Sequence, residues 1–282
     1  MNLSTLKRIV RDCQAERNEF ARNRDWILRL YDRLLTRWPR ASLPFRKKAC
    51  RVYKKGIAEP FFLRLGSSDW HVLKEIYVRN EYDTLLKCDL GKPRWIVDLG
   101  SNIGLSLRLW REHYPEVRII AVEPDADNMR VLRLNVPESG GDKVILEQAC
   151  VLGRVRPVQL QGGAGGEWAY SVKDMASASS DAPETVAAFT MPELLQRHCA
   201  DAMIDLLKCD IEGTEAELFR NCGAWLQKVR FGLVELHGRY GLKDFERDIA
   251  DSGVPIDVLW SDQGVDFCFV IFRTRGVGNG KQ

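Results

Sequence analysis

Ten residues, Trp95-Ile-Val-Asp-Leu-Gly-Ser-Asn-Ile-Gly104, constrain the fold of this chain more than any other stretch. The unbroken apolar run Trp95-Ile96-Val97 suits a central parallel strand covered on both faces. It enters a turn with glycines at 100 and 104, where backbone can approach a ligand closely, and the turn opens a helix at Leu105-Ser-Leu-Arg-Leu-Trp110. Asn102 is placed to serve the N-terminus of that helix. Strand, glycine turn and helix together make a loop that can hold a nucleotide cofactor.

The turn reads D-x-G-x-N-x-G and lacks the middle glycine that a dinucleotide pyrophosphate needs. Asp98 would also set a carboxylate beside that pyrophosphate. A cationic ligand suits it better: the α-ammonium of S-adenosylmethionine. The next strand, Val117-Arg-Ile-Ile-Ala-Val-Glu123, ends in a second acid, 25 positions after Asp98. An acid at that tip accepts hydrogen bonds from both ribose hydroxyls, in S-adenosylmethionine and NAD sites alike. Glu123 therefore indicates adenosine, and Asp98 chooses the cofactor.

At 282 residues the chain holds one large α/β domain and an appendage. No apolar run approaches the ~20 residues of a membrane span, and the N-terminus has no apolar core of signal-peptide length. Eight cysteines occur without a C-x-x-C pair, so neither a zinc site nor a disulfide framework is indicated. The expected location is cytoplasmic.

Charge is unevenly distributed. Residues 1–56 carry sixteen Lys or Arg against five Asp or Glu, a net +11, which against a whole-chain +3 leaves −8 for the remainder. Such an arm points to an anionic partner. Leu6, Val10, Cys13, Arg17, Phe20, Arg24, Ile27, Tyr31, Leu34 and Trp38 alternate spacings of four and three, predicting one helix seam that runs until Pro39. That seam is expected to pack on its own domain or on a second copy, with peripheral contact to the inner membrane face as the alternative. Sparse aromatic interleaving speaks against nucleic acid.

The remainder alternates strands and helices. Val144–Cys150, Ile204–Asp210 and Val229–Glu235 read as the third to fifth parallel strands. Pro255–Trp260 and Phe267–Thr274 read as a closing hairpin around Ser261-Asp-Gln-Gly264. Between the third and fourth strands, Gly162–Gly166 and Ala176–Ala182 have loop compositions. The expectation is a mostly parallel, doubly wound α/β sheet over residues 57–275 with a C-terminal antiparallel hairpin, a helical arm over 1–56 and a frayed tail over 276–282.

Ligands in such sheets bind beyond the C-terminal strand ends. At the fourth tip stands Lys208-Cys-Asp-Ile-Glu-Gly-Thr-Glu215; Lys208, Asp210 and Glu212 fall two apart and share one face in extended geometry. At the fifth tip Glu235 and His237 repeat the spacing. Ionisable groups converging there are costly unless paired or used.

Asp98–Gly104, Val122-Glu-Pro124, Leu207–Glu215 and Val234-Glu-Leu-His237 resemble the FkbM family of methyltransferases, as does the upstream Leu63–Asp69 followed by Glu81-Tyr82. The resemblance covers roughly residues 60 to 240, and its Lys-x-Asp-x-Glu-Gly-x-Glu block is the specific part. It implies a Rossmann-like class I methyltransferase fold and O-methylation of a hydroxyl in natural products or in sugars of surface polysaccharides and glycolipids. It also implies that Gly100, Ser101, Asn102, Gly104, Glu123 and Pro124 hold S-adenosylmethionine, with Ser68, Asp69 and Tyr82 closing over its methionine part. Residues 1–56 fall outside the resemblance.

An alcohol acceptor must lose its proton, to a general base or with help from a metal. His237 is the favoured base by intrinsic pKa, with Asp210 and Glu212 as alternatives and Lys208 as an anchor for a carboxylate or the acceptor. Mg²⁺ held by Asp210, Glu212 and Glu235 is chemically reasonable. Gln148 is a candidate for the adenine edge, and Trp168 and Tyr170 for stacking on sugar. The leading reading is a glycan or small-molecule O-methyltransferase. The alternatives are a nucleic-acid methyltransferase, disfavoured because Asp-Ile-Glu-Gly stands where such enzymes carry a proline–aromatic motif, and a catalytically silent assembly protein.

Overall fold

The computed structural model describes residues 3–38, 44–45, 47–136, 141–163, 166–174 and 186–276. The chain begins with α1 (Leu3–Glu16), α2 (Asn23–Arg37), β1 (Ala49–Val52), β2 (Phe61–Arg64), α3 (Asp69–Tyr77) and α4 (Asp83–Leu86). The first half of the main sheet follows as β3 (Trp95–Leu99), α5 (Leu105–His113), β4 (Arg118–Val122), α6 (Ala126–Asn135) and β5 (Val144–Glu147). Smaller strands β6 (Ala149–Val151), β7 (Val158–Gly163), β8 (Gly166–Asp174) and β9 (Ala187–Phe189) lead to α7 (Met191–His198). The second half is β10 (Ile204–Cys209), α8 (Glu215–Phe219), α9 (Gly223–Leu226), β11 (Val229–His237), α10 (Leu242–Asp251), β12 (Ile256–Gln263) and β13 (Phe267–Thr274).

Seven strands make the central sheet in the order β12-β13-β11-β10-β3-β4-β5. The five from β11 to β5 run parallel, and β13 and β12 add antiparallel at the far edge. Order reverses between β3 and β10, so the switch point lies where the glycine turn after β3 meets the end of β10. Ile96 packs into one core, with Trp110, Leu107 and Ile119, while Val97 and Leu99 pack into the other, with Leu207, Leu194 and Phe272. Burial on both faces is why β3 reads as a continuous apolar run.

Three expectations about the elements are corrected. The predicted third strand breaks at Gln148; Ala149–Val151 leaves the main sheet and pairs with β9. The hairpin turn lies beyond Gln263 rather than at residues 261–264, because Ser261, Asp262 and Gln263 still pair with Val270, Phe269 and Cys268. Gly162, Gly163 and Gly166 of the glycine run predicted as loop lie in the paired antiparallel strands β7 and β8, and residues 164–165 lie outside the described residues. Residues 176–182, the side chains of Trp168 and Tyr170, and the tail after Gly276 lie outside the described residues.

The N-terminal seam is also corrected. Instead of one helix there are two, separated at Phe20–Arg22, where Phe20 bridges Lys54 and the Ala21 N–H donates to the Tyr53 carbonyl at 2.8 Å. The face of α2 turned inward is polar: Asp25, Arg29, Asp32 and Leu35 are buried, while Ile27 of the predicted seam is 56% exposed. Each buried charge has a partner, as burial demands. Arg29 reaches Glu16 and Asp32 at 2.8 and 3.0 Å, Asp25 accepts from the Tyr53 N–H, and Asp32 from the Gly66 N–H at 2.8 Å. Lys74 of α3 joins Glu16 at 2.9 Å, tying the helix pair to the domain. The expected division at residues 56 and 57 falls in the connection between the paired strands β1 and β2. Among the described residues, no helix is long and apolar enough to cross a membrane.

Candidate active site

A cavity of about 770 Å³ opens at the C-terminal ends of β3, β4, β10 and β11, within the size range of small-ligand sites. Its floor is the glycine turn. The Gly100 and Ser101 N–H groups both donate to the Val122 carbonyl at 3.0 Å, and the Asp210 N–H donates to the Leu99 carbonyl at 3.1 Å. Gly100 has φ +71°, and a Cβ there would lie 1.7 Å from the Asp210 carbonyl oxygen. The close approach that demands glycine is therefore between two strand ends of the protein itself.

Glu123 stands at the tip of β4, buried and lining the cavity. Its Oε2 accepts the Asn102 N–H at 2.8 Å; its Oε1 accepts the Asp125 N–H at 3.0 Å and the Asn128 amide at 3.1 Å. Burial pushes its carboxyl up to about 7 although all three donors pull the other way. Ser101, Asn102 and Pro124 also line the cavity, whereas Gly104, in the left-handed region, backs onto the Leu132 side chain at the start of α5.

Asp98 departs from expectation. It is fully buried and does not reach the cavity; Oδ2 accepts the Trp110 indole N–H at 3.0 Å, and Oδ1 lies 3.7 Å from Lys208 Nζ on the neighbouring strand. Register explains this, since Lys208 pairs directly with Asp98 and covers it. Lys208 Nζ donates to the Gly100 carbonyl at 2.7 Å, the Leu99 carbonyl at 3.3 Å and Asp210 at 3.3 Å. Burial opposes its charge, but Asp210 and Asp98 outweigh that and hold it well above the usual lysine value. Its three donors go to the glycine turn and to Asp210, so the predicted anchor for an acceptor braces the turn against the β10 tip.

Other assignments divide. Tyr82 lines the cavity and stacks on Trp110, ring centroids 5.4 Å apart. Ser68 and Asp69 do not line it, because the Arg64 guanidinium takes both Asp69 oxygens at 2.8 and 3.0 Å. Gln148 is exposed and outside the cavity; Ala149, Cys150 and Val151 form the wall there, a strand switch that no side-chain pattern announced.

The ionisable groups at the β10 and β11 tips gather around His237. Its Nδ1 is 2.9 Å from Glu215 Oε1, and its Nε2 lies 3.6 Å from Glu212, 3.6 Å from Glu235 and 3.8 Å from Asp210. Burial works against the ring's charge, yet the Glu215 hydrogen bond and the surrounding carboxylates push it up to about 10. The imidazole is thus protonated at neutral pH, which removes the argument from intrinsic pKa for His237 as the base. Glu215 is buried under the ring and also accepts the Gly213 N–H at 3.0 Å. Sequence reasoning quoted Glu215 within its block and gave it no role; its spacing to His237, 22 residues on, carries no local signal.

Glu212 arrives by a turn rather than by strand alternation, since β10 ends at Cys209. Glu212 has φ +53° and the following Gly213 +102°, an uncommon conformation for a non-glycine residue. Burial first, then Asp210, push Glu212 up to about 7. Burial, Glu75 and Asp210 do the same to Glu81, a cavity residue that the sequence reading named only as part of the upstream segment. Glu235 is raised as well, by burial and Asp210. Among the described residues, Asp210, Glu212 and His237 offer ligand atoms all within 4.8 Å of one another; the ring takes the place expected of Glu235 in a metal-binding set.

The methyltransferase FkbM domain matches residues 98–251, more than half of the chain. This protein belongs to the FkbM methyltransferase family. Its cofactor is S-adenosylmethionine, and its sheet of five parallel strands with two antiparallel strands at one edge is the mostly parallel α/β sheet expected from the sequence. No curated protein matches the chain at a significant level. Solved structures similar to this FkbM-family chain include a precorrin-6y C5,15-methyltransferase from Geobacter metallireducens GS-15, at 14% identity and TM-score 0.41, over 68% of this chain and 84% of that one. The human methyltransferase 10 domain containing protein is 15% identical, TM-score 0.42, over 70% and 80%. The N-terminal domain of human METTL16 in complex with SAH is 15% identical, TM-score 0.39, over 70% and 68%.

Proposed function

We propose that this enzyme moves a methyl group from S-adenosylmethionine to a hydroxyl, in a sugar of a surface polysaccharide or glycolipid. The observation that carries the reading is Glu212, a carboxylate raised to about 7 on a strained turn at the cofactor cavity. A general base works best with a pKa near the operating pH. S-Adenosylmethionine supplies an activated methyl, so the protein's tasks are positioning and proton removal. Glu123 accepts the ribose hydroxyls, the walls around Tyr82 exclude water, and Glu212 takes the acceptor proton. Asp210, Glu235 and the His237 imidazolium orient the acceptor's hydroxyls.

The carboxylates facing the cavity disfavour a polyanionic acceptor, which weighs against nucleic acid. The test is a panel of glycosides incubated with enzyme and S-adenosylmethionine and read by mass for a single added methyl. Methylation of a base or of nothing, by an enzyme that binds the cofactor, would refute the proposal.

A second reading has its own support in the 4.8 Å grouping of Asp210, Glu212 and His237. Two carboxylates and an imidazole would hold a divalent cation, which would acidify the acceptor hydroxyl in place of a carboxylate base. Activity abolished by chelation and restored by Mg²⁺ would favour it over Glu212 acting as base.

The basic arm is read as docking this enzyme to an anionic membrane surface. Ile27 and Phe45 are 56% and 59% exposed. The Tyr31 hydroxyl donates to the Pro44 carbonyl at 2.7 Å, which holds the segment bearing Phe45 beside α2. Cosedimentation with phosphatidylglycerol vesicles, lost in Ile27→Glu/Phe45→Glu, is expected; equal indifference of the wild type to anionic and neutral vesicles would end this reading.

A further inference from the structure

Of the three donors to Glu123, two are backbone N–H groups and cannot turn away. The third, the Asn128 side-chain amide, could equally present its oxygen, which would repel the carboxylate. Its other end decides. Asn128 Oδ1 accepts from Arg64 Nη2 at 2.7 Å, and a guanidinium only donates. With its oxygen committed to Arg64, Asn128 must turn its NH₂ toward Glu123.

Arg64 is itself held. Asp69 takes its Nε at 3.0 Å and its Nη2 at 2.8 Å, and also accepts the Arg64 backbone N–H at 2.7 Å. Bidentate pairing of this kind fixes direction as well as distance. The Asp69 end is anchored in turn: the Ser67 hydroxyl accepts the Asp69 N–H at 3.2 Å and donates to the Arg64 carbonyl at 2.8 Å, while the arm's Asp32 takes the Gly66 N–H. Arg64, Asp69, Asn128 and Glu123 are all buried, so no water substitutes freely for a lost member.

We propose that Arg64 and Asp69 are positioning residues for cofactor binding, acting through Asn128 to aim the Glu123 carboxylate at the ribose hydroxyls. The proposal rests on the reading of Glu123 as the ribose acceptor. It gives the segment before α3 a role at the ribose, although neither Asp69 nor Arg64 lines the cavity. It also connects the N-terminal helix pair to the cofactor through Asp32 and Gly66.

The experiment compares two ligands by calorimetry, S-adenosylhomocysteine and its 2′,3′-dideoxy analogue, on wild type, Glu123→Gln, Asn128→Leu and Arg64→Met/Asp69→Leu. The last variant removes the buried ion pair as a unit, so that no unpaired charge is left to unfold the protein. Melting temperature and circular dichroism check that each variant is folded. Asn128→Leu and the double variant are expected to weaken S-adenosylhomocysteine about 10- to 100-fold, the range for losing a hydrogen bond to a charged group. The dideoxy analogue, which does not use Glu123, should change less than about twofold, within the usual scatter of additive sites. Equal weakening of both ligands would mean a scaffolding role only and overturn the proposal. If Glu123→Gln discriminates between the ligands and the other two variants do not, the relay fails while the ribose reading stands. If Glu123→Gln itself fails to discriminate, the ribose reading and the proposal built on it fall together.

Discussion

Two groups of buried acids flank one cavity, and they are built in opposite ways. On the β4 side a single carboxylate, Glu123, receives three N–H donors, two of them backbone. On the β10–β11 side Asp210, Glu212, Glu215 and Glu235 surround one imidazolium, and Lys208 joins only Asp210 of the four, at 3.3 Å, its other donors going to the glycine turn. Backbone donors keep their direction, so we read the first arrangement as a preformed socket for the cofactor. Burial raises Glu123 and Glu212 alike to about 7. What differs is that Glu123 is engaged by three N–H donors while Glu212 faces an imidazole and other carboxylates, so we read the second group as the one that exchanges protons with the acceptor. In the proposed roles, the contrast separates binding from chemistry across two to three strand spacings, roughly 10 to 14 Å.

The contrast breaks most completely at the residue both halves share. Gly100→Ala forces a Cβ onto the Asp210 carbonyl from a left-handed backbone position. We expect a stability loss of about 3 kcal/mol or more and loss of both cofactor binding and activity, seen in thermal melts and calorimetry. A variant that melts and binds like wild type would show that the two strand ends are not locked together.

Next come the variants that should part the two halves. Glu212→Gln is expected to lower kcat about 10²- to 10⁴-fold with little change in cofactor Kd. Glu123→Gln should raise that Kd about 10- to 100-fold and disturb kcat far less. Both variants moving the same parameter would erase the distinction.

A smaller effect lies in pH. Glu212 sits at about 7 in the folded chain against an ordinary 4.5. A raised carboxyl favours folding when protonated, so its contribution is present below pH 4.5 and is lost as pH rises through 7. Glu212→Gln should therefore be more stable than wild type at pH 8, on the order of 2 kcal/mol, with the advantage gone below pH 4.5. The wild-type rate should rise through pH 7 as Glu212 ionises, and chemical denaturation and pH–rate profiles test the two halves of this statement.

The smallest effect concerns the ring. His237, raised to about 10, contributes stability that is full below pH 6.5 and lost as pH passes 10. Glu215→Gln removes the hydrogen-bonded partner and should bring the ring's titration down towards 6.5, followed by the imidazole proton shifts in NMR. An unchanged titration would mean that Asp210 and Glu235 alone hold the charge.

Much of this was legible in the chain because it is local. Trp95–Gly104 predicted a strand starting at Trp95, a turn and a helix starting at Leu105, as observed, and Lys208, Asp210, Glu212, Glu235 and His237 were expected together because strand ends converge at a switch point. Non-local partners were not legible. The α2 seam was read from apolar spacing, yet the buried side of that helix carries Asp25, Arg29 and Asp32. Their partners, Glu16, Tyr53 and Gly66, lie up to 34 residues away.

The sequence by itself determined the fold class and the acids at the strand tips, since these follow from periodicity, glycine spacing and short motifs. It reached the cofactor through the family motifs and not through Asp98, which the structure buries away from the cavity. Only the tertiary structure decided what surrounds each acid. Strand register covers Asp98 with Lys208, packing lays Glu215 under His237, and Arg64 claims Asp69. A carboxylate's role depends on which donors and charges stand within a few ångströms of it, and in a parallel sheet those neighbours come from strands about a hundred residues apart, as Asp98 and Lys208 do.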